Sequence, residues 1–287
     1  MRHSAPQVVR TVMRRTCILA LVVFLGTVHA HAQGTVDRSR DRGEGIPTDM
    51  FGTYIRAGEL LVYPFFEYYR DRNFEYKPEE LGYAGSTDFR GRYRAREGLI
   101  YLGYGLSERV AVEFEAAVIR ASLRKSSQDP SGLPARFVES GLGDVAARVR
   151  WRWNRESDSR PEFFSFFETG FPFQRSKALI GTREWEFKLG TGMVRGLSWG
   201  TITLRASVDS IGGKFEPGEY AFEYLRRLSK RVRVYAGVEG TGDEVELITE
   251  VQVFLRPNVY LKLNNAFGLT SKATDWAPEI GLMFSFR

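Results

Sequence analysis

Arginine recurs at every second position in two stretches of this sequence. On an extended chain, this spacing places the guanidinium groups on one face. The first row is Arg90, Arg92, Arg94 and Arg96, and the second row is Arg148, Arg150 and Arg152. Glutamates recur with the same period elsewhere, for example at Glu113 and Glu115. Such rows can neutralise one another by ion pairing, or they can attract and select ions, and both roles require strands that present them to a shared space.

One glycine-rich stretch matches a known nucleotide-binding pattern. Residues Gly141–Ala146 match the dinucleotide-binding pattern G-x-G-x-x-A. That pattern binds a pyrophosphate only where a helix follows the glycines. Here the following residues, Ala147–Trp153, alternate with a period of two and predict a strand. We therefore interpret these glycines as strand residues and expect no nucleotide cofactor.

The first 32 residues have the features of a secretory signal. Arg10, Arg14 and Arg15 precede an apolar run, Cys17–Val28, that is too short to span a bilayer as a helix. Ala30–Ala32 forms an A-x-A cleavage site. These residues contribute four arginines and no acid, so their removal lowers the formal charge from +6 to +2. The basic character of the chain is therefore poor evidence for nucleic-acid binding, and we expect none.

Loss of this signal also removes every imidazole and thiol. The histidines at positions 3, 29 and 31 and the single cysteine, Cys17, all lie within it. The remaining chain cannot use Ser–His or Cys–His catalysis, His-dependent proteolysis, or ordinary zinc or haem ligation. Its carboxylates lie in strand patterns rather than in an evident catalytic pair. We therefore predict no enzyme activity, no catalytic residues, no cofactor and no metal site.

The clearest structural pattern runs from Glu219 to Leu269. Apolar and polar residues alternate through four successive runs, separated by short turn sequences at Ser229-Lys230, Thr241-Gly242 and Pro257-Asn258. Strands of about ten residues joined in this way are typical of an antiparallel up-and-down transmembrane β-barrel. A soluble periplasmic barrel that binds a ligand has a similar alternation, but the signal sequence and the aromatic content favour the membrane.

The whole chain yields about twelve strands. Besides the four in 219–269, the predicted strands are 59–70, 89–104, 109–124, 139–153, 162–171, 183–194, 199–208 and 276–286, with a bulge at Val118-Ile119. Trp151 and Trp153 predict an aromatic girdle at one membrane interface. Longer connections follow the odd-numbered strands, near 71–88, 125–137, 172–182, 209–218, 240–243 and 270–275. This places both termini at the periplasmic end.

Three segments follow from these patterns. We assign residues 1–32 to the signal peptide, 33–57 to a flexible periplasmic lead-in, and 58–287 to the barrel. The lead-in is polar and mixed in charge, and it has little apolar content with which to form a plug inside the barrel.

Charged rows cannot face lipid, because a charge at mid-bilayer costs about 2–4 kcal/mol. They must point into the lumen or lie above the membrane. A two-residue turn at Thr241-Gly242 would place Arg233 opposite Glu250. The predicted lumen-lining residues are Arg92, Arg94, Arg148, Arg150, Arg152, Arg205, Arg233, Glu113, Glu186, Glu246 and Glu250.

Several short motifs resemble a family of bacterial outer-membrane barrels described as transporters or as "MetA-pathway of phenol degradation" proteins. The motifs are Gly105–Arg109, Ser140–Asp144, Thr169-Gly170, Lys188–Gly192 and Ala277–Phe286. The resemblance covers about half of the mature chain. It implies a single barrel in the outer membrane of a Gram-negative cell that moves small molecules, including hydrophobic or aromatic ones.

We therefore expect a porin-like channel or passive transporter. The alternative is a non-conducting barrel with a structural or surface-interaction role. The expected partners are outer-membrane lipid, the barrel assembly machinery and a small-molecule permeant. Outer-membrane barrels usually end on an aromatic residue that this machinery recognises, whereas here Arg287 follows Phe286.

Overall fold

The computed structural model describes residues 44–287, so the predicted signal peptide lies outside the described residues. Two short strands, β1 (Ile46–Pro47) and β2 (Tyr54–Ile55), form a small sheet of their own. The remaining strands are β3 (Leu60–Tyr76), β4 (Phe89–Gly105), β5 (Val110–Arg124), β6 (Arg136–Asn154), β7 (Glu162–Phe171), β8 (Glu186–Leu197), β9 (Gly200–Ile211), β10 (Lys214–Arg227), β11 (Val232–Gly240), β12 (Val245–Arg256), β13 (Val259–Gly268) and β14 (Trp276–Phe286). A short 3-10 helix, Pro78–Leu81, follows β3.

The twelve long strands form a closed antiparallel meander. Each strand pairs with the next in sequence, and β14 pairs with β3 to complete the barrel. The predicted twelve-stranded antiparallel barrel is therefore confirmed. Closure gives each of these twelve strands a paired neighbour on both sides, so the barrel has no open edge. Within residues 44–287 there is no helix long and apolar enough to cross a membrane.

Two connections differ from the predicted loops. The prediction placed a long loop near 209–218, but β9 and β10 continue to a two-residue turn at Gly212-Gly213. Both glycines have positive φ, +57° and +81°, which a tight hairpin turn requires and which glycine adopts at little cost. The predicted loop 71–88 is also shorter, because β3 extends to Tyr76 past a bulge that follows Asp71.

The two ends of the barrel differ in the length of their connections. One end carries the long loops 77–88, 125–135 and 172–185, and the other carries short turns such as 198–199 and 257–258. β3 begins and β14 ends at the short-turn end, where Leu60 pairs with Phe286. The predicted bulge near Val118 is present as a register shift between Ala116 and Val118 in the pairing of β5 with β6.

The outer surface carries a continuous apolar band. Large hydrophobic side chains are exposed on the outward positions of neighbouring strands. Examples are Phe66, Val118, Leu142, Val149, Leu189, Leu204, Phe222, Val251 and Ile280. Trp151 and Trp153 stack on each other at the short-turn end, 4.9 Å between ring centroids, and Tyr68 packs edge-on to Trp276 near the other end. The band between these aromatic pairs is roughly 25 Å high, as a membrane-embedded barrel requires.

Two glycines of β8 make room for phenylalanines that point into the barrel. Phe166 pairs with Gly190, and Phe164 pairs with Gly192, across the β7–β8 hairpin. A Cβ atom at either glycine would overlap the facing aromatic ring. Phe164 and Phe166 are both buried, and their rings lie beneath the guanidinium of Arg150.

We expect Gly190→Val to destabilise the barrel by about 1–3 kcal/mol, because the new side chain must displace the Phe166 ring. Gly98 is the matched control: it also lies within a strand, but a Cβ there would meet no atom within 4 Å. Gly98→Ala should therefore leave the barrel as stable as the parent. Denaturant unfolding of the refolded protein in detergent measures both, and equal midpoints for the two variants would contradict the packing argument.

Candidate functional site: the barrel lumen

The N-terminal segment, residues 44–57, lies inside the barrel rather than beneath it. Ile46 and Ile55 are fully buried and belong to the same cluster as Tyr63, Tyr101 and Met283 of the barrel wall. This differs from the expected flexible lead-in over residues 44–57, while residues 33–43 lie outside the described residues. The segment remains in place because its few apolar side chains reach a preformed apolar layer and its polar groups find partners in the wall.

A charged layer holds this segment near the middle of the lumen. The carboxylate of Asp49 contacts Arg148 at 2.6 Å, Arg150 at 3.2 Å and Arg205 at 3.4 Å. Glu113 contacts the same group of arginines, at 2.5 Å from Arg150 and 3.2 Å from Arg148. The backbone amide of Asp49 also donates to Glu113. One residue of the segment thus closes a network between β5, β6 and β9.

The charge of Asp49 depends on this network. Burial alone would raise the pKa of the Asp49 carboxyl, but the guanidiniums of Arg148, Arg150 and Arg205 hold that pKa well below its usual value. A lowered pKa means that the contribution to stability is complete above the ordinary carboxyl pKa and is lost only as the pH falls below it. The Asp49 carboxylate, which tethers the segment to these arginines, is therefore fully charged at neutral pH.

The next residues of the segment are held on the opposite wall. The backbone carbonyl of Phe51 accepts hydrogen bonds from Gln252 at 3.0 Å and from Lys262 at 3.2 Å. Its ring stacks on Tyr235 with 4.8 Å between centroids. Lys262 is almost completely buried and also pairs with Glu250 at 3.3 Å. The segment therefore bridges the lumen from β6 to β12 and β13.

Cavities lie on both sides of this bridge. Towards the long-loop end, a cavity of about 200 Å³ borders the segment, and a vestibule of about 530 Å³ lies above it. Towards the short-turn end, a cavity of about 640 Å³ includes Glu44, Arg56, Arg152 and Glu162 in its wall. The segment separates the vestibule side from the short-turn side of the lumen.

The vestibule side is strongly acidic. Eleven carboxylates and four cationic side chains line the smaller cavity, and ten carboxylates and three cationic side chains line the vestibule. Glu97, Glu244 and Glu246 belong to both. Carboxylates therefore outnumber cationic side chains on this side of the segment. Among residues 44–287, no group of three or more acidic residues has the arrangement of a metal site.

Nine of the eleven predicted lumen residues lie on inward positions. Arg150 is completely buried, and Arg233 lies over the rings of Phe254 and Tyr260. Glu186 lines the vestibule. The inward set is Arg148, Arg150, Arg152, Arg205, Arg233, Glu113, Glu186, Glu246 and Glu250.

The assignment of Arg92 and Arg94 to the lumen is wrong. Their neighbours Tyr93 and Ala95 are buried in the interior, so the alternation of β4 places both arginines on the outside. They lie beyond the apolar band, where a charge costs little. Charge marks the inward face of a strand only at the depth of the hydrocarbon.

The proposed pairing of Arg233 with Glu250 is also corrected. Arg233 lies opposite Gln252, and Glu250 lies opposite Tyr235. The connection from β11 to β12 has four residues, Thr241–Glu244, rather than two, and it closes with a hydrogen bond from Thr241 N to Glu244 O. Two extra residues shift the register by two, which keeps both side chains on the inward face but places them diagonally.

Sequence reasoning missed Asp49 and much of the acidic lining. The segment that carries Asp49 has no long period-two pattern, so nothing in the local sequence indicated its partners. Alternation alone could have indicated Glu97, because it lies four residues from Tyr93, a buried inward position of the same strand.

Three solved structures share this fold over most of the chain. An outer membrane channel from Pseudomonas putida F1 superposes with a TM-score of 0.60 at 12% sequence identity, covering 84% of this chain and 99% of that chain. The translocator domain of autotransporter NalP from Neisseria meningitidis gives a TM-score of 0.51 at 10% identity, with coverage of 83% and 90%. The KdgM porin gives 0.50 at 8% identity, with coverage of 79% and 99%.

No protein-family model matches this chain, and no curated protein matches it. At these identities, the structural likeness establishes the fold of a transmembrane β-barrel. The resemblance to the phenol-degradation family stays a prediction.

Proposed function

We propose that this protein is an outer-membrane channel for small solutes, closed at rest by its own N-terminal segment. One observation carries the proposal: within residues 44–287, the segment 44–57 and the side chains that hold it lie between polar cavities on the two sides of the lumen. The apolar outer band and the expected signal sequence support an outer-membrane location.

The permeants that fit best are small, polar and cationic. The vestibule and the cavity below it have many more carboxylates than cationic groups, so a cation entering from the long-loop end meets a favourable potential. Aromatic side chains of Tyr69, Phe74 and Tyr93 also line the vestibule. They offer stacking surfaces for aromatic solutes, the class that the family resemblance implies.

The second candidate is a non-conducting barrel, favoured by the dense charged layer around Asp49. Single-channel recording of the refolded protein in a planar bilayer separates the two. A channel produces discrete current steps. Under a salt gradient, its reversal potential should lie close to the equilibrium potential of the cation. A silent bilayer from protein with normal heat-modifiable gel migration would favour the structural role.

We expect Glu97→Gln together with Glu115→Gln to reduce the preference for cations at least twofold, because both carboxylates line the cavity next to Asp49. The matched control is Glu79→Gln with Asp88→Asn, which removes two exposed carboxylates from the connection between β3 and β4. The permeability ratio of potassium to chloride measures the effect. An unchanged ratio in the first variant would contradict the assignment of these residues to the conduction path.

A further inference from the structure

A patch of six arginines lies on the outside of the barrel near its long-loop end. We call this set, Arg92, Arg94 and Arg96 of β4, Arg120 and Arg124 of β5, and Arg136 of β6, the outer arginine patch. All six side chains are exposed. The register brings them together, because Arg92 lies opposite Arg124, Arg124 lies opposite Arg136, and Arg96 lies opposite Arg120.

The patch lacks compensating charge. Among residues 44–287, no carboxylate lies within 4 Å of any of its guanidinium nitrogens, whereas the neighbouring Arg90 pairs with Glu75 at 2.5 Å. Like charges directly opposite each other on adjacent strands destabilise a sheet. Three arginines side by side, with a further pair on the same face, therefore favour the binding of an anion.

The height of the patch identifies where that anion lies. Arg96 and Arg120 lie one outward position beyond the apolar residues Val118 and Leu142. Tyr68, which packs against Trp276 at the membrane interface, pairs with Arg96. The patch thus occupies the level at which lipid headgroups meet the barrel, at the end that carries the long loops.

The patch also has a concave shape. Arg92, Arg94, Arg96, Arg120, Arg124 and Arg136 line a cleft of about 640 Å³ together with Tyr68 and the small residues Ala95, Ala121, Ser122 and Ala135. The side chains of Ala95 and Ala121 point into the barrel, so the walls of the cleft are formed mainly by the arginines, and its volume suits a headgroup rather than a single ion. Planar guanidiniums bind phosphate oxygens in bidentate fashion, which suits them to phosphorylated headgroups.

We propose that the outer arginine patch binds the phosphate groups of lipopolysaccharide in the outer leaflet. The occupant is a phosphorylated glycolipid whose acyl chains lie against Phe66, Val118 and Leu142 while its phosphates contact the arginines. This inference rests on the outer-membrane location proposed above, with the long loops outside. It concerns the outer wall, so it is independent of whether the lumen conducts.

The test is binding of diphosphoryl lipid A to the refolded protein in detergent, measured by native mass spectrometry and by titration. We expect Arg94→Gln, Arg96→Gln and Arg120→Gln together to weaken binding at least tenfold. The matched control removes three exposed arginines at the short-turn end, Arg109→Gln, Arg160→Gln and Arg231→Gln, and should bind as the parent does. Heat-modifiable gel migration verifies that both variants are folded.

Two further probes distinguish the source of the phosphate. Inorganic phosphate should compete only weakly, and lipid A without phosphates should bind at least tenfold less tightly than the diphosphoryl form. Equal binding by the two triple variants would overturn the proposal, and so would equal affinity for phosphatidylglycerol. Conductance is recorded on the same preparations, so a silent channel that binds lipid A contradicts only the proposed function.

Discussion

Asp49→Ala is expected to convert brief or rare openings of the barrel into long ones. Asp49 is the residue of the N-terminal segment that contacts Arg148, Arg150 and Arg205, at 2.6 to 3.4 Å. A hydrogen bond to a charged group is worth about 1.5–3 kcal/mol. Loss of one such contribution corresponds to a roughly ten- to hundredfold greater population of barrels whose segment has left the lumen. Open probability in single-channel recordings measures this population.

The same variant should also shift the ion selectivity of the open lumen. Removing Asp49 leaves three guanidiniums with fewer counter-charges, so the permeability ratio should shift towards anions. Simple loosening of the barrel would raise conductance without this shift.

Glu44→Gln is the matched control for Asp49→Ala. Glu44 belongs to the same segment and pairs with Arg56 at 3.5 Å, but its side chain is 86% exposed. An exposed pair contributes little, about 0–1 kcal/mol, so this variant should behave as the parent does. Equal open probability in the two variants would contradict the proposal that Asp49 holds the segment in the lumen.

Arg150→Met is expected to produce the largest loss of stability among single substitutions in the wall. Arg150 is completely buried, contacts Glu113 at 2.5 Å and lies over the rings of Phe164 and Phe166. Its removal leaves Glu113, itself buried, with one fewer guanidinium. Breaking a buried ion pair from one side typically costs about 3–5 kcal/mol. The midpoint of denaturant unfolding and the temperature at which the heat-modifiable band shifts both measure the loss.

Two variants test whether the uncompensated charge of Glu113 causes this loss of stability. Arg155→Met removes an arginine of the exposed pair with Glu108, whose side chains are 65% and 61% exposed, so it should cost less than about 1 kcal/mol. Adding Glu113→Gln to Arg150→Met removes the uncompensated charge and should restore part of the stability. A double variant no more stable than Arg150→Met would indicate that packing, rather than charge, dominates at this position.

The sequence by itself determined the strands and the class of fold. Alternation defined β14 at its observed bounds, since lipid and lumen impose opposite polarities on successive residues over the height of the membrane. The bounds of β7 were also predicted, from a phenylalanine-rich run without clean alternation. The same rule correctly directed Arg148, Arg150 and Glu113 inwards. It failed at Arg92 and Arg94, because above the hydrocarbon both faces of a strand meet polar surroundings and the period no longer distinguishes them.

Only the tertiary structure decided the registers and the partners. Whether Arg233 faces Glu250 or Gln252 depended on a turn of four residues rather than two, which alternation does not record. The position of Asp49 depended on contacts with residues even farther away in the sequence. Its three arginines come from β6 and β9, about a hundred and more residues away in the chain, and they meet only because the barrel closes. A segment without a repeating pattern has no local signal for such partners, so its position follows from the charge and shape of the lumen that the other strands create.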